Sequence, residues 1–438
     1  MKKLIYIFFF FSVLTCSAYS QYWVEQTSGV TVQLTSVSPI TEMNIWVCGY
    51  SGTVLRTTNG GSNWLNVSGG GIPNTVSLVS IWGIDASTAI TAGYVGSDTW
   101  IWRTSNAGAN WVQVLSQPGG FINGIVFKRN QPLHGFAQGD PAGGRWSLFK
   151  TSNGGINWDS AGCYLPQAGT EAGWNNSIFI GTQAPYSFNT GLDSSIWFGT
   201  NNTRIYYSTN FGSTWISQST APEVNTYALA MIFFGGGEGL AGGTNLIRSS
   251  NYGANWSSQA SLGTGNFSGF VMFPAPVDFY GYCWYTRNTT SIYRGMYGSS
   301  WAIEYTAPAG NYRHFTNVRN SGICFGVRSN GGITRCNYYF SGITQTGNSI
   351  PENYSLSQNY PNPFNPVTKI KFSIPVKGNV KLSVFDALGR VVNILVNQNL
   401  NYGTYEAEWN ASDYPSGVYF YKLETEKYSE TKKMALVK

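Results

Sequence analysis

The sequence predicts an all-β chain: a seven-bladed β-propeller of four-stranded blades, followed by a small Ig-like β-sandwich. Three observations predict it. A turn-forming box ending in Trp recurs at spacings of 41 to 57 residues. Short alternating apolar runs of strand length precede each box. Basic usage then switches: residues 21–351 hold 12 Arg and 2 Lys, whereas residues 352–438 hold 9 Lys and 1 Arg. Strand-rich repeats of such a period are the mark of propeller blades.

Composition sets the frame. A chain of 438 residues is too long for one ordinary core. Only 11% of residues are charged while 16% are aromatic, which excludes a disordered chain. The net charge of +6 is spread along the length, so no nucleic-acid footprint exists.

The first element is an address. Lys2 and Lys3 precede an apolar run from Leu4 to Leu14, then Ala18, Tyr19 and Ser20. That is the pattern of a secretory signal peptide over residues 1–20. The run is too short to span a bilayer as a helix, and no later stretch is long enough. The mature chain is therefore expected to carry no transmembrane segment.

The repeats follow, over residues 21–345. Each box reads Ser/Thr-x-Asn-x-Gly-x-x-Trp. The copies carry Asn59, Gly61 and Trp64; Asn106, Gly108 and Trp111; Asn153, Gly155 and Trp158; Asn210, Gly212 and Trp215; and Asn251, Gly253 and Trp256. A worn sixth copy keeps Gly298 and Trp301. Asn tolerates a left-handed backbone and caps its neighbours, Gly supplies positive φ, and Trp offers a broad face between blades. A turn signal centred on Asn330 aligns Arg335-Cys336 with Arg56-Thr57 of the first repeat. Seven blades then fill residues 21–345; six or eight stand as alternatives, because the seventh box is inferred from position and has lost its motif. Trp23 lies one repeat before Trp64 with no box ahead of it, so Trp23–Gln26 is expected to be the outer strand of the last blade. Closing the ring this way removes an exposed edge.

The same axis at Asn330 sets Cys324 opposite Cys336. They form either a cross-strand disulfide or two reduced thiols in neighbouring strands. Five cysteines remain after the leader, an odd number, so at least one thiol is free.

The boxes resemble the Asp-box, or BNR repeat, of sialidases, sortilin-type receptors, some glucanases and the photosystem II assembly-factor family. Asn stands here where that consensus has Asp, in all five copies. The resemblance implies a propeller with boxes at its periphery, away from the ligand face.

Residues 346–353 read as a linker and residues 354–438 as the sandwich. Strand-length runs there are separated by Gly and Pro turns, and Pro361, Pro363 and Pro366 hold the first segment extended. The segment carries Asn-Pro-Phe-Asn-Pro from Asn362, Asp386-x-x-Gly389-Arg390, the run from Ser416 to Tyr421 and Lys432-Lys433-Met434. It closely resembles the C-terminal sorting domain of the type IX secretion system. That implies export across an outer membrane of a Bacteroidetes-like bacterium, with the secretion machinery as partner and the cell surface or medium as destination.

Candidate chemistry is sparse. A glycosidase needs two carboxylates flanking the bond. Asp140 and Glu171, with Arg145 between them, surround the third box and resemble a Gly-Asp-Pro and Glu arrangement of assembly-factor-like propellers. Asp140-Pro141 also suits the opening of a turn, and Glu171 a solvated loop. No Arg-Ile-Pro precedes the first box, which argues against a sialidase. Arg56, Arg103, Lys150, Arg248 and Arg335 each immediately precede a box position; a cation ring could draw an anionic glycan or protein, or each could be an amphipathic stem. His134 and His314 are isolated and no Cys-x-x-Cys occurs, so no metal or cofactor is expected. The reading favours a non-catalytic propeller binding a glycan or surface protein. A glycoside hydrolase or lyase and a structural surface protein stand as alternatives. A mouth lined by Trp, Tyr and Arg would favour binding over a purely structural role.

Overall fold

The computed structural model describes residues 23–181, 194–232, 237–272, 282–296, 301–318, 323–337, 343–347, 349–411 and 414–438. The expected leader and Gly298 of the worn sixth box lie outside them. Among the described residues there is no α-helix, and the strands form antiparallel sheets in chain order.

The first sheet comprises Leu34–Pro39, Ile45–Gly49, Val54–Thr57 and Leu65–Asn66. Ile45, Val47, Val54 and Leu55 are fully buried, because both faces of a middle strand meet a neighbouring sheet. Six further sheets follow, with innermost strands Ser77–Gly83, Ile122–Phe127, Gly173–Ile180, Ala228–Ile232, Phe267–Met272 and Tyr312–Asn317. Each innermost strand touches the next, and Tyr312–Asn317 touches Leu34–Pro39, so the seven described sheets close a ring. The third sheet departs from the expected four strands. Beyond Trp158 only the bridges Lys150–Asp159 and Arg145–Pro166 continue it.

Closure comes from the N-terminal side. Trp23–Gln26 pairs antiparallel with Ile333–Asn337, setting Trp23 opposite Cys336 and Gln26 opposite Ile333. Glu25 then accepts from Thr334 Oγ1 (2.7 Å) and Tyr305 OH (3.0 Å), and forms an ion pair with the buried Arg328.

Apolar clusters fill the spaces between sheets. One joins Trp46, Leu78, Trp102 and Trp111 across the first and second sheets. Each large side chain so buried contributes roughly 1.5–3 kcal/mol.

The innermost strands are also stitched by side chains. The Val37 amide donates to His314 Nδ1 (3.0 Å), the Ile81 amide to Ser36 Oγ (3.3 Å) and the Ile125 amide to Ser80 Oγ (3.2 Å). His314, Ser36 and Ser80 hold one structural position in the seventh, first and second sheets. Near this level the first, second, third, sixth and seventh inner strands each shift register by one residue. The fourth departs further: Gly173 faces Thr200, and the next pair is Ile178 with Phe198. The chain between them bulges at Asn176, whose φ of 60° is left-handed. Asn176 Nδ2 crosses the ring to the carbonyls of Thr35 (3.1 Å) and Val79 (3.0 Å), and Ser36 Oγ donates to its Oδ1 (3.1 Å).

The tail forms two four-stranded sheets around one core that includes Ile370, Phe372, Leu382, Trp409, Tyr421 and Met434. Its first strand is Ile343–Gly347, paired with Gly403–Asn410. That strand runs across the expected boundary between propeller and linker at residue 345. Its polar alternation gives little sign of a sheet position, and its partner lies far along the chain. Within the tail, Asp386 caps its own turn by accepting from the amides of Leu388 (2.9 Å) and Arg390 (3.0 Å) and from Arg390 Nε (2.7 Å).

Candidate functional site

The boxes are turns built from one repeated set of bonds. Thr57 Oγ1 donates to Asn59 Oδ1 (2.8 Å) and accepts from the Gly61 amide (3.0 Å), while Asn59 Oδ1 also accepts from the Asn63 amide (3.0 Å). The boxes at Asn106, Asn153, Asn210 and Asn251 repeat all three. The central residue serves these bonds through one acceptor oxygen, so an amide does what a carboxylate would. Its glycine is required twice over: Gly108 has φ of 87°, and a Cβ there would lie 2.7 Å from Val67 of the preceding sheet. The box Trp packs backwards likewise, as Trp111 does edge-on to Trp46 at 6.1 Å.

The cations before the boxes are spent on the ring itself. Arg103 Nε donates to Gly154 O (2.8 Å), Arg335 Nη1 to Gly60 O (2.7 Å) and Lys150 Nζ to Ser213 Oγ (2.9 Å), each reaching the box of the following sheet. Arg56 donates to Ala86 O and lies over the Trp46 ring, and Arg248 pairs with Glu238 at 2.9 Å. Arg56, Arg103, Lys150 and Arg335 thus tie one sheet to the next, while Arg248 pairs within its own sheet. A groove of about 460 Å³ beside Arg103, lined by Asn106, Asn110, Gln113 and Ile156, holds no acid.

Asp140 and Glu171 reach one corner, between the third and fourth sheets, with different work to do. Asp140 Oδ1 accepts from Asn123 Nδ2 (2.7 Å) and from the Gly173 amide (2.7 Å), joining the two sheets. Burial pushes its pKa up, against the pull of those two bonds. Glu171 is buried and fully engaged. It pairs with Arg204 Nε (2.8 Å) and accepts from Tyr206 OH (2.9 Å) and Asn202 Nδ2 (3.3 Å). Arg145 is exposed and donates to Ser160 Oγ (3.3 Å). No local signal announced Arg204 and Tyr206 as partners of Glu171, since they lie on a later hairpin. Gln138, also at this corner, is fully buried with both amide atoms unpartnered.

The same end of the ring carries an aromatic mouth that motif reading missed. In an antiparallel blade the start of the innermost strand and the turn between the second and third strands lie at one end. Tyr50, Tyr94, Phe121, Trp174 and Tyr227 all occupy such positions, and none is buried. Tyr94 meets the hydroxyl of Tyr50 and packs at a tilt against Phe121 at 4.6 Å; burial and Tyr50 together raise its pKa. Trp174 packs on Tyr227 at 4.1 Å. Asp140 links the two groups, its amide donating to Phe121 O (2.8 Å) and its carboxylate holding Gly173. Arg313 stands at the register shift of the seventh innermost strand, beside the sheet that carries Tyr50. Its Nε is buried without a partner, and the side chain makes no hydrogen bond or ion pair among the described residues. Sequence order hides this assembly, because its members come from six different sheets.

Cys324 and Cys336 stand directly opposite each other, both buried and not joined by a disulfide. Burial and the neighbouring Cys336 drive the Cys324 thiol well above its ordinary pKa. Among the described residues no group of three or more His, Cys, Asp or Glu could hold a metal ion, and no helix is long and apolar enough to cross a membrane.

Residues 358–437 match the secretion system C-terminal sorting domain. The tail is therefore a type IX sorting domain, and the chain is directed to the cell surface or the extracellular medium. No curated protein matches the chain in sequence. Solved β-propellers match it in structure. YCF48 bound to a D1 peptide shares 15% identity at a TM-score of 0.53, covering 72% of this chain and 97% of that one. YCF48 from Cyanidioschyzon merolae shares 15% at 0.51, covering 72% and 98%. The WD40 β-propeller domain of Doa1 shares 11% at 0.50, covering 71% and 96%. At these identities the likeness is one of fold.

Proposed function

We propose that this chain is an exported recognition protein whose propeller binds a glycan or a protein without turning it over. A signal peptide over residues 1–20 takes it through the inner membrane, and the tail engages the type IX machinery. The propeller then does its work at the cell surface or in the medium.

The observation that carries the non-catalytic reading is the engagement of Glu171. A glycosidic acid or base must keep a carboxyl oxygen free for the substrate or its water. Glu171 is buried under Arg204, Tyr206 and Asn202, which leaves Asp140 without a catalytic partner. The half-exposed aromatics at the same end of the ring supply binding surface instead. A peptide-bound relative in fold, YCF48, supports ligand binding by such a ring.

The test is a glycan array and a surface-protein pull-down with the purified mature chain, with product analysis on every glycan retained. Binding without products supports the proposal. Release of products that stops in Asp140→Asn makes the protein a hydrolase or lyase instead.

A further inference from the structure

The aromatic mouth and Arg313 together specify a ligand more narrowly. We propose that the mouth binds an oligosaccharide bearing carboxylates, of the uronic-acid kind, with Arg313 receiving one carboxylate and the aromatic rings stacking on sugar faces. This inference rests on the binding reading above and deepens it.

The first support is the uncompensated charge. A half-buried guanidinium without an acid is costly unless a ligand supplies the anion. The other titratable groups of this end are satisfied internally. Glu171 holds Arg204, Glu25 holds Arg328, and Glu223 accepts from the amides of Asn225 (3.1 Å) and Asn245 (2.8 Å). Arg287 is spent on the carbonyls of Leu262 and Thr244. Arg313 is the unmatched charge among them.

The second support is the form of the surface. Tyr50, Tyr94 and Phe121 make one contiguous patch, and Trp174 with Tyr227 another, joined through Asp140. Half-exposed rings strung along an arc suit a chain of pyranoses, whose C–H faces are apolar and whose edges carry hydroxyls. An extended peptide would be held chiefly through backbone pairing to a free strand edge. Here the ring-side amides of Val37, Ile81 and Ile125 are already taken by His314, Ser36 and Ser80, so those innermost strands offer no such pairing there.

The experiment uses the purified mature chain and titrates oligogalacturonate, oligomannuronate and glucuronoxylan fragments by calorimetry. Each is compared with its own carboxyl-reduced form. An acidic peptide library is run in parallel. The expected result is binding of at least one acidic oligosaccharide, about tenfold or more tighter than its reduced form and weakened by salt. Arg313→Gln should abolish that preference while keeping residual affinity, and Arg313→Lys should restore part of it. Trp174→Ala should weaken the acidic and reduced forms alike, about tenfold. Thermal melts of each variant separate lost binding from lost folding. Equal binding of acidic and reduced forms, or binding unmoved by both Arg313→Gln and Trp174→Ala, overturns the inference. Binding of peptides alone overturns it too but leaves the recognition reading standing. Turnover of any oligosaccharide overturns that broader reading.

Discussion

Glu25 and Arg328, 303 residues apart in the chain, form the ion pair that fastens the first strand to the last sheet of the ring. The guanidinium is buried and the carboxylate also serves Thr334 and Tyr305, so four elements meet at one acid. Removing one partner of such a pair leaves the other charge stranded.

Glu25→Gln is therefore expected to lower unfolding stability by roughly 2–3 kcal/mol. Urea melts followed by Trp fluorescence would show it. An unchanged midpoint would mean that pairing of Trp23–Gln26 closes the ring without this acid.

The box turns make a sharper comparison. Asn153 accepts from Thr151 Oγ1 and the Asn157 amide through a single oxygen. Asn153→Asp should alter stability by less than about 0.5 kcal/mol, whereas Asn153→Ala should cost about 1 kcal/mol. Equal effects of the two substitutions would show that the acceptor oxygen is not what the turn needs.

Glu171→Gln tests the structural assignment of that acid. It strands Arg204 and should cost roughly 2–4 kcal/mol. Ligand affinity, measured well below the melting temperature, should stay within about twofold. A stable variant with altered affinity would return Glu171 to the ligand-contacting groups.

His314 gives the protein a pH dependence. Burial draws its pKa down from 6.5 to about 4. The folded chain thus keeps the imidazole neutral while the unfolded chain takes up the proton first. Stability from this residue is complete above pH 6.5 and lost as the pH falls toward 4, on the order of 3 kcal/mol in all. Ser fills the equivalent position in the first two sheets, so His314→Ser should keep the bond to Val37 and flatten the decline. Urea melts at pH 7.5 and 4.5 check this. Parallel declines in both proteins would remove His314 as the cause.

Much of the scaffold was legible because its signals are local. Positive φ at Gly61 and its counterparts, and the acceptor two residues earlier, are properties of eight consecutive residues. The mirror axis at Asn330 placed Cys324 opposite Cys336, and repeat spacing placed Trp23–Gln26 outside Ile333–Asn337. The mouth was not legible. Trp174 meets Tyr227, Asp140 meets Gly173, and Asn176 crosses to Thr35, all through ring geometry that no window of sequence contains. Glu171 looked available for the same reason: its partners Arg204 and Tyr206 come from a later hairpin. One long-range feature did leave a trace. Ser36 and Ser80 fall one repeat apart at equivalent positions, a periodic serine in an otherwise apolar strand.

The strand Trp23–Gln26 is made first by the ribosome, yet its partner Ile333–Asn337 is among the last parts of the ring to be made. The ring therefore cannot lock until some three hundred residues have been made. The strand that seals the propeller is thus the one that waits longest for its partner.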